Sequence, residues 1–268
     1  MDENPNFDGG LNIFELADNE PDPDLKAVLV ALRHGNISEA QKQVEAIIRQ
    51  DSKRAGAYYY RAHIWIAQKR IRRAMDDCNR AIVLNPNFID GYSMRGMLWL
   101  MTRRPALALN DFDKAIALNP NSSANYLGRG MAFYQKGAYE RRIHSFSGVM
   151  DNRYGWEEFQ NALANFNHAL EMNLQDKKQQ LATAHWGIAF VYLALQQFDQ
   201  AILHANVTVS IMPNQDGLLR ERGNIYAQAG LYDEAIADFE HALQLNPNNR
   251  ITKNYYRQVL NKKRNFGR

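Results

Sequence analysis

The sequence predicts an all-α protein, a solenoid of helix-turn-helix repeats that ends in a capping helix, and two observations indicate this fold class. A short phrase recurs along the chain, as AIVLNPN from Ala81, AIALNPN from Ala115 and ALQLNPN from Ala242. Its proline recurs at a fixed period, since Pro86 and Pro120 lie 34 residues apart. A period of about 20 to 50 residues is typical of solenoids.

Within each unit, apolar residues recur at spacings of three, four and seven residues, which predicts two amphipathic helices. One position of the first helix is always small, so that helices can approach closely: Ala62, Gly96, Gly130, Ala189 and Gly223. Asn-Pro ends the second helix, because proline cannot continue it and excludes the preceding residue from the helical region. Gly137 and Gly230 predict the turn between paired helices.

Residues 21–249 divide into six units, which begin near residues 21, 55, 89, 123, 182 and 216. Residues 1–25 carry eight acidic side chains and no Lys or Arg, so we expect residues 1–20 to form a flexible acidic segment. Alternatively, LNIFELA (residues 11–17) is an amphipathic segment that docks in a groove of its own or a second chain, giving self-association. Residues 250–268, with seven basic and no acidic side chains, are expected to form the capping helix and a basic tail.

The unit GNIYAQAGLYDEAIADFEHALQLNP, Gly223–Pro247, resembles the tetratricopeptide repeat family almost throughout, and the resemblance covers about residues 21–268. It implies a right-handed superhelical solenoid of TPR-like repeats whose concave groove is lined by the first helix of each unit. The family resemblance further implies a non-catalytic scaffold or adaptor for protein–protein interaction. The residues at groove positions predict a site for an apolar peptide or helix of a partner protein: Tyr59, His63, Met97, Met101, Leu127, Met131, Tyr134, Trp186, Phe190, Arg220 and Asn224.

Members of the family that bind chaperones clamp a terminal carboxylate with Lys and Asn in their early repeats. The corresponding positions here hold Tyr59 with His63, and Ser93 with Met97, so we do not expect that ligand. Arg220 with Asn224, in the last repeat, resembles half of such a clamp and is expected to bind the polar end of the peptide.

The fourth unit is irregular, because its second-helix pattern begins only at Phe159 and continues with Ala162, Phe166 and Ala169. We interpret residues 139–158 as an insertion before that helix. Alternatively, residues 138–150 form the ordinary second helix and residues 156–172 are supernumerary. The insertion is either a loop or extra helical turn, or a contact element for partners. The contact candidates are Arg142, Phe146, Arg153, Tyr154 and Trp156.

No catalytic, phosphate-binding or metal-binding motif is present in the sequence. Cys78 falls at an inward helix position, and no two histidines have the i, i+4 spacing of a helical metal pair. We therefore predict no enzymatic activity, no cofactor and no metal. Four arginines recur at one repeat position, which favours a structural or surface role over a catalytic one: Arg61, Arg95, Arg129 and Arg222.

The composition, 46% hydrophobic and 23% charged, is that of a water-soluble globular protein. No apolar run approaches the roughly 18 residues of a membrane span, and nothing resembles a secretion signal. These features predict a cytoplasmic protein with no membrane partner. A net charge of +3 is weak evidence for nucleic acid. Nucleic-acid binding through the basic tail and the Arg/aromatic insertion is the alternative function.

Overall fold

The computed structural model describes residues 22–146, 154–172, 174 and 177–266, and every regular element in these ranges is an α-helix. Consecutive helices pack in pairs, as α3 (Ala55–Ala67) packs on α4 (Ile71–Leu84), and α4 then packs on α5 (Ile89–Met101). The predicted all-α helical-repeat solenoid is therefore confirmed. In the described part of the chain, no helix combines the length and apolar character that crossing a bilayer requires.

The chain forms two compact units, and the N-terminal unit is described over residues 22–136. It also contains α1 (Pro23–Arg33), α2 (Ile37–Gln50), α6 (Pro105–Leu118) and the first part of α7 (Ser123–Phe146). The helices end at the repeated phrase, since Asn85 and Asn119 leave the helical conformation just before the prolines. The Asn119 side chain then accepts a hydrogen bond of 3.0 Å from the backbone N–H of Asn121, which fixes the turn.

The C-terminal unit is described over residues 137–266 except for the gaps stated above. After the end of α7 it contains α8 (Trp156–Glu171), α9 (Lys178–Ala194), α10 (Phe198–Ile211), α11 (Asp216–Gln228), α12 (Tyr232–Leu245) and α13 (Arg250–Phe266). The helix α13 packs on α12, where Val259 is buried and the Tyr255 ring lies 6.1 Å from that of Phe239. This contact covers the apolar face of the last helix pair.

The turn predicted at Gly137 does not form, because α7 continues through this residue to Phe146. Gly137 instead permits a close approach to Gly155, the residue before α8. A Cβ atom on Gly155 would lie 2.4 Å from the carbonyl oxygen of Gly137, and the φ angle of Gly155 is +72°. Both features require glycine at position 155. The buried pattern of Phe159, Ala162, Phe166 and Ala169 lies on α8.

The extended end of α7 is held in place by Arg141, one turn after Gly137. Its guanidinium donates a hydrogen bond to the carbonyl oxygen of Ala194, the last residue of α9. The same group lies 5.1 Å from the centre of the Phe159 ring. A cation is stabilised at a helix C-terminus, where unpaired carbonyl groups carry partial negative charge. Arg141 thus joins three helices of the C-terminal unit.

Candidate functional site

In the N-terminal unit, the accessible groove residues are His63 on α3 and Met97 and Met101 on α5, whereas Tyr59 is buried with 7% of its surface exposed. Tyr59 and His63 are one turn apart on α3, with ring centres 4.7 Å apart in an edge-to-face contact. Met97 and Met101 are one turn apart on α5, where Met97 is half-buried and Met101 is 55% exposed. The Tyr59 ring also lies 5.7 Å from that of Phe88 at the start of α5. This contact links the two helix faces.

Histidine 63 is the polar member of this surface, and its Nε2 atom is enclosed with no hydrogen-bond partner in the described structure. Burial disfavours the charged imidazolium and lowers the pKa of His63 to about 4. The ring is therefore neutral at physiological pH. The surface formed by Tyr59, His63, Met97 and Met101 consequently carries no charge of its own.

Other predicted groove residues lie inside the protein. Five are almost completely enclosed by the chain: Leu127, Met131, Tyr134, Trp186 and Phe190. In the C-terminal unit, Trp186 and Phe190 pack against each other with ring centres 4.8 Å apart. Their main physical contribution is the packing of their own repeats.

Arg220 and Asn224, the predicted polar end of the site, already form hydrogen bonds with other side chains of the C-terminal unit. Arg220 donates from Nε and Nη2 to one carboxylate oxygen of Glu221, at 3.0 and 2.8 Å. Both side chains are largely buried. Asn224 accepts a longer contact of 3.4 Å from Gln228. The charge of Arg220 is thus balanced by Glu221 before any ligand arrives.

The contact candidates of the insertion have different environments. Trp156 is 47% exposed at the start of α8, and the exposed Arg142 lies 5.8 Å from the ring centre of Tyr139 on α7. Tyr154 is half-buried beside Gly155. Phe146 ends α7, but its side chain is outside the described structure, as is the whole of Arg153.

The recurring arginines connect the helices within and between repeats. Arg95 donates from Nε and Nη2 to both carboxylate oxygens of Asp111, at 2.8 and 2.6 Å, and from Nη1 to Asn79 of the preceding repeat at 2.8 Å. Arg222 binds Asp238 and Asn206 in the same way. These hydrogen bonds raise the pKa of each arginine and keep it charged. Such bidentate contacts are strong and directional.

Arg61 forms the corresponding bidentate pair with Asp77, at 2.7 Å for both contacts. Arg129 binds Asp113 of the preceding repeat at 2.8 Å, at the repeat position where Asn79 and Asn206 bind Arg95 and Arg222. The structural role predicted for these arginines therefore has a specific basis in hydrogen bonding. Sequence reasoning missed the acidic partners, although aspartate follows Arg61, Arg95 and Arg222 by 16 residues each time.

The α9–α10 repeat lacks this arginine–aspartate pair and has two histidines instead. The Nδ1 atoms of His185 and His204 lie 2.9 Å apart, and the ring centres are separated by 5.2 Å. The distance between the ring centres exceeds the distance between the nitrogens by about two ring radii. The two ring centres and the two nitrogens therefore lie nearly on one line, as in an N–H···N hydrogen bond. Two nitrogens that chelated one metal would instead converge at an angle. The geometry therefore indicates one shared proton.

Burial lowers the pKa of both histidines, and the charge of His204 lowers that of His185 further. The pair is consequently neutral near pH 7, with one ring as donor and the other as acceptor. Among the described residues, no group of three or more His, Cys, Asp or Glu side chains is placed to hold a metal ion. The i, i+19 spacing of this pair gave no recognisable signal in the sequence.

Comparison with known proteins finds curated proteins that match part of this chain. The chain is 28% identical to human peptidyl-prolyl cis-trans isomerase FKBP4 over 122 residues, which is 45% of this chain and 24% of FKBP4. The bovine FKBP4 matches at 27% over the same length and coverage. The chain thus spans about a quarter of the length of these curated relatives.

Among solved structures, the Cut9–Hcn1 hetero-tetramer of the APC/C matches with a TM-score of 0.71 at 18% identity, over 88% of this chain and 42% of that one. The type IV pilus biogenesis factor PilW matches with a TM-score of 0.69 at 19% identity, over 88% and 96%. These similarities concern the fold. The sequence pattern of the tetratricopeptide repeat matches residues 25–87, 96–143 and 218–249, more than half of the chain. The chain therefore belongs to the tetratricopeptide repeat family.

Proposed function

We propose that this protein is a non-catalytic interaction scaffold that binds an apolar peptide segment of a partner through the first helices of its repeats. Tetratricopeptide repeat proteins generally mediate protein–protein interactions, and this membership supports the general role. The exposed side chain of Met101, one turn after Met97 on α5, carries the specific proposal.

Methionine suits such a surface because its unbranched, polarisable side chain adapts to differently shaped partners. The half-buried, neutral His63 adds rigid ring area, which loses little conformational entropy when it is covered, and the buried Tyr59 packs against it. An anionic peptide terminus would find no fixed cation among these four residues. The surface therefore suits an apolar peptide segment better than a C-terminal carboxylate.

Nothing in the environment of the cysteine supports catalysis. Cys78 is buried on α4, and burial raises the pKa of its thiol to about 12. A nucleophilic cysteine needs access to solvent and a lowered pKa, because the thiolate is the reactive form. Cys78 therefore contributes to packing, in keeping with a scaffold.

The end of α7 and the start of α8 offer a second contact surface in the C-terminal unit. Tyr139 and Ile143 are exposed one turn apart on α7, and Trp156 is exposed on α8. Exposed aromatic side chains near arginine are typical of interface hot spots. We include Arg142 and Trp156 in the proposal as contacts additional to the α3–α5 surface.

The test selects ligands from a phage-displayed random peptide library on the full chain and measures their affinities by calorimetry. Met97→Glu/Met101→Glu adds charge and desolvation cost to the proposed surface, so we expect apolar peptides to bind at least about tenfold more weakly. The matched control is Val83→Glu/Leu107→Glu, since these residues are also exposed and apolar but lie on the second helices α4 and α6.

The control variant should bind selected peptides as the wild type does. Circular dichroism establishes that both double variants retain helical content. Peptides that bind the α5 variant and the wild type equally would refute the proposed surface. If affinity were lost instead in Trp156→Ala, the α7–α8 surface would be the binding site.

A further inference from the structure

The outer face of α13 carries a row of exposed arginines. Arg250, Arg257 and Arg264 recur every seven residues, so they lie along one side of the helix, about 10 Å apart. All three are exposed. The other exposed positions along this side carry amides: Asn254, Gln258, Asn261 and Asn265. We call this set the α13 arginine stripe.

The stripe differs from the other recurring arginines because its charges have no acidic partner among the described residues. On the same helix, Lys263 forms an ion pair with Asp233, and Tyr256 donates a hydrogen bond of 2.8 Å to Glu240. These contacts hold α13 on α12 and leave the arginines of the stripe facing solvent. A row of three unpaired guanidinium groups attracts carboxylates or phosphates, which they bind in a bidentate manner.

The chain itself contains an acidic segment of matching charge. Residues 1–20 include six acidic side chains and no basic one: Asp2, Glu3, Asp8, Glu15, Asp18 and Glu20. The next two acids, Asp22 and Asp24, are already bound by Arg54. Asp8 and Glu15 have the same seven-residue spacing as Arg257 and Arg264. The segment therefore carries charge opposite to that of the stripe, with six acidic side chains against three arginines.

A nucleic acid is less well matched to this face. Proteins that bind single strands combine basic side chains with exposed aromatic rings on which bases stack. The aromatic residues of α13 whose side chains are described, Tyr255 and Tyr256, are half-buried toward α12. Among the described side chains of this helix, the exposed large apolar one is the aliphatic Ile251. The stripe therefore offers charge and amide hydrogen bonds without a stacking platform.

We propose that the α13 arginine stripe binds the acidic N-terminal segment, residues 1–20, of a second copy of this chain. The interaction gives self-association that is driven by charge and weakens as salt increases. It goes beyond the binding of a partner peptide on α3 and α5, and it does not depend on that function.

The first test is sedimentation velocity on the full chain in about 50 mM and about 500 mM NaCl, where the screening length falls from over 10 Å to a few ångströms. The wild type should associate at low salt and be monomeric at high salt. The variant Arg250→Glu/Arg257→Glu/Arg264→Glu should associate at least about tenfold more weakly at low salt. The matched control changes the net charge equally at exposed residues elsewhere: Lys42→Glu/Arg72→Glu/Lys114→Glu.

The decisive test exchanges the charges between two chains. Asp8→Arg/Glu15→Arg and Arg257→Glu/Arg264→Glu should each remain monomeric alone, whereas their equimolar mixture should associate. If the wild type associates but the control variant Lys42→Glu/Arg72→Glu/Lys114→Glu does not, the association is a general effect of net charge and the proposal is overturned. A monomeric wild type, or a mixture that stays monomeric, would overturn it as well. The wild type could instead stay monomeric and bind a fluorescent single-stranded RNA that the stripe variant does not bind. That result would assign the stripe to nucleic acid.

Discussion

The pKa of His63 predicts a loss of stability in mild acid. Its folded-state pKa of about 4 lies below the ordinary value of 6.5, so the unfolded chain binds more protons between these limits. Stability is therefore complete above about pH 6.5 and falls as the pH decreases toward 4. At pH 5 the loss from this residue is about 2 kcal/mol, and at pH 4 and below it approaches about 3 kcal/mol.

Urea unfolding at pH 7 and pH 5 measures this effect, with hydrogen exchange of α3 reporting on the repeat that contains His63. His63→Phe keeps an aromatic ring beside Tyr59 but removes the titrating group. We expect its loss of stability between the two pH values to be smaller than that of the wild type by about 2 kcal/mol. His34→Phe also removes one histidine, but at an exposed position, and is the matched control. Equal pH dependence in wild type and His63→Phe would refute the argument.

Three further predictions concern packing and charge. His204→Asn should raise the pKa of His185, measured by NMR titration, because the charge of His204 lowers it in the wild type; an unchanged pKa would contradict the close pair. Arg95→Met should destabilise the protein by about 3 kcal/mol or more in urea unfolding, since it leaves a buried carboxylate unpaired, whereas Lys263→Met should cost less than about 1 kcal/mol at an exposed pair. Gly187→Ala places a Cβ 2.3 Å from the Phe166 ring, so the midpoint of thermal unfolding should fall by several degrees.

The repeated phrase predicted the regular helices because its physical effect is local. Asn-Pro ends a helix through the restricted backbone of proline and the residue before it, whatever the surrounding structure. The spacing of Phe159, Ala162, Phe166 and Ala169 likewise predicted a buried helix face, which α8 presents. In both cases, the determining interactions lie within one or two helical turns of the chain.

The path of α7 could not be predicted from Gly137 in this way. Glycine ends a helix where the chain must turn, but it also allows two backbones to approach closely. Which effect applies depends on Gly155, 18 residues further along the sequence. The accessibility of the groove candidates has a similar cause. Repeat position specifies the helix face of Trp186 and Phe190, whereas neighbouring side chains determine how much of that face remains exposed.

The arginines of this protein divide into two groups according to the charges around them. Arg61, Arg95 and Arg222 each bind an almost fully buried aspartate of their own repeat, so their charge contributes to the scaffold and little to its external field. Arg257 and Arg264 are exposed and have no such partner in the part of the chain that the structure describes, although the net charge counts all of them equally. The net charge of the whole chain is therefore a poor guide to partners. The position of unpaired charge on α13 predicts where an acidic segment binds.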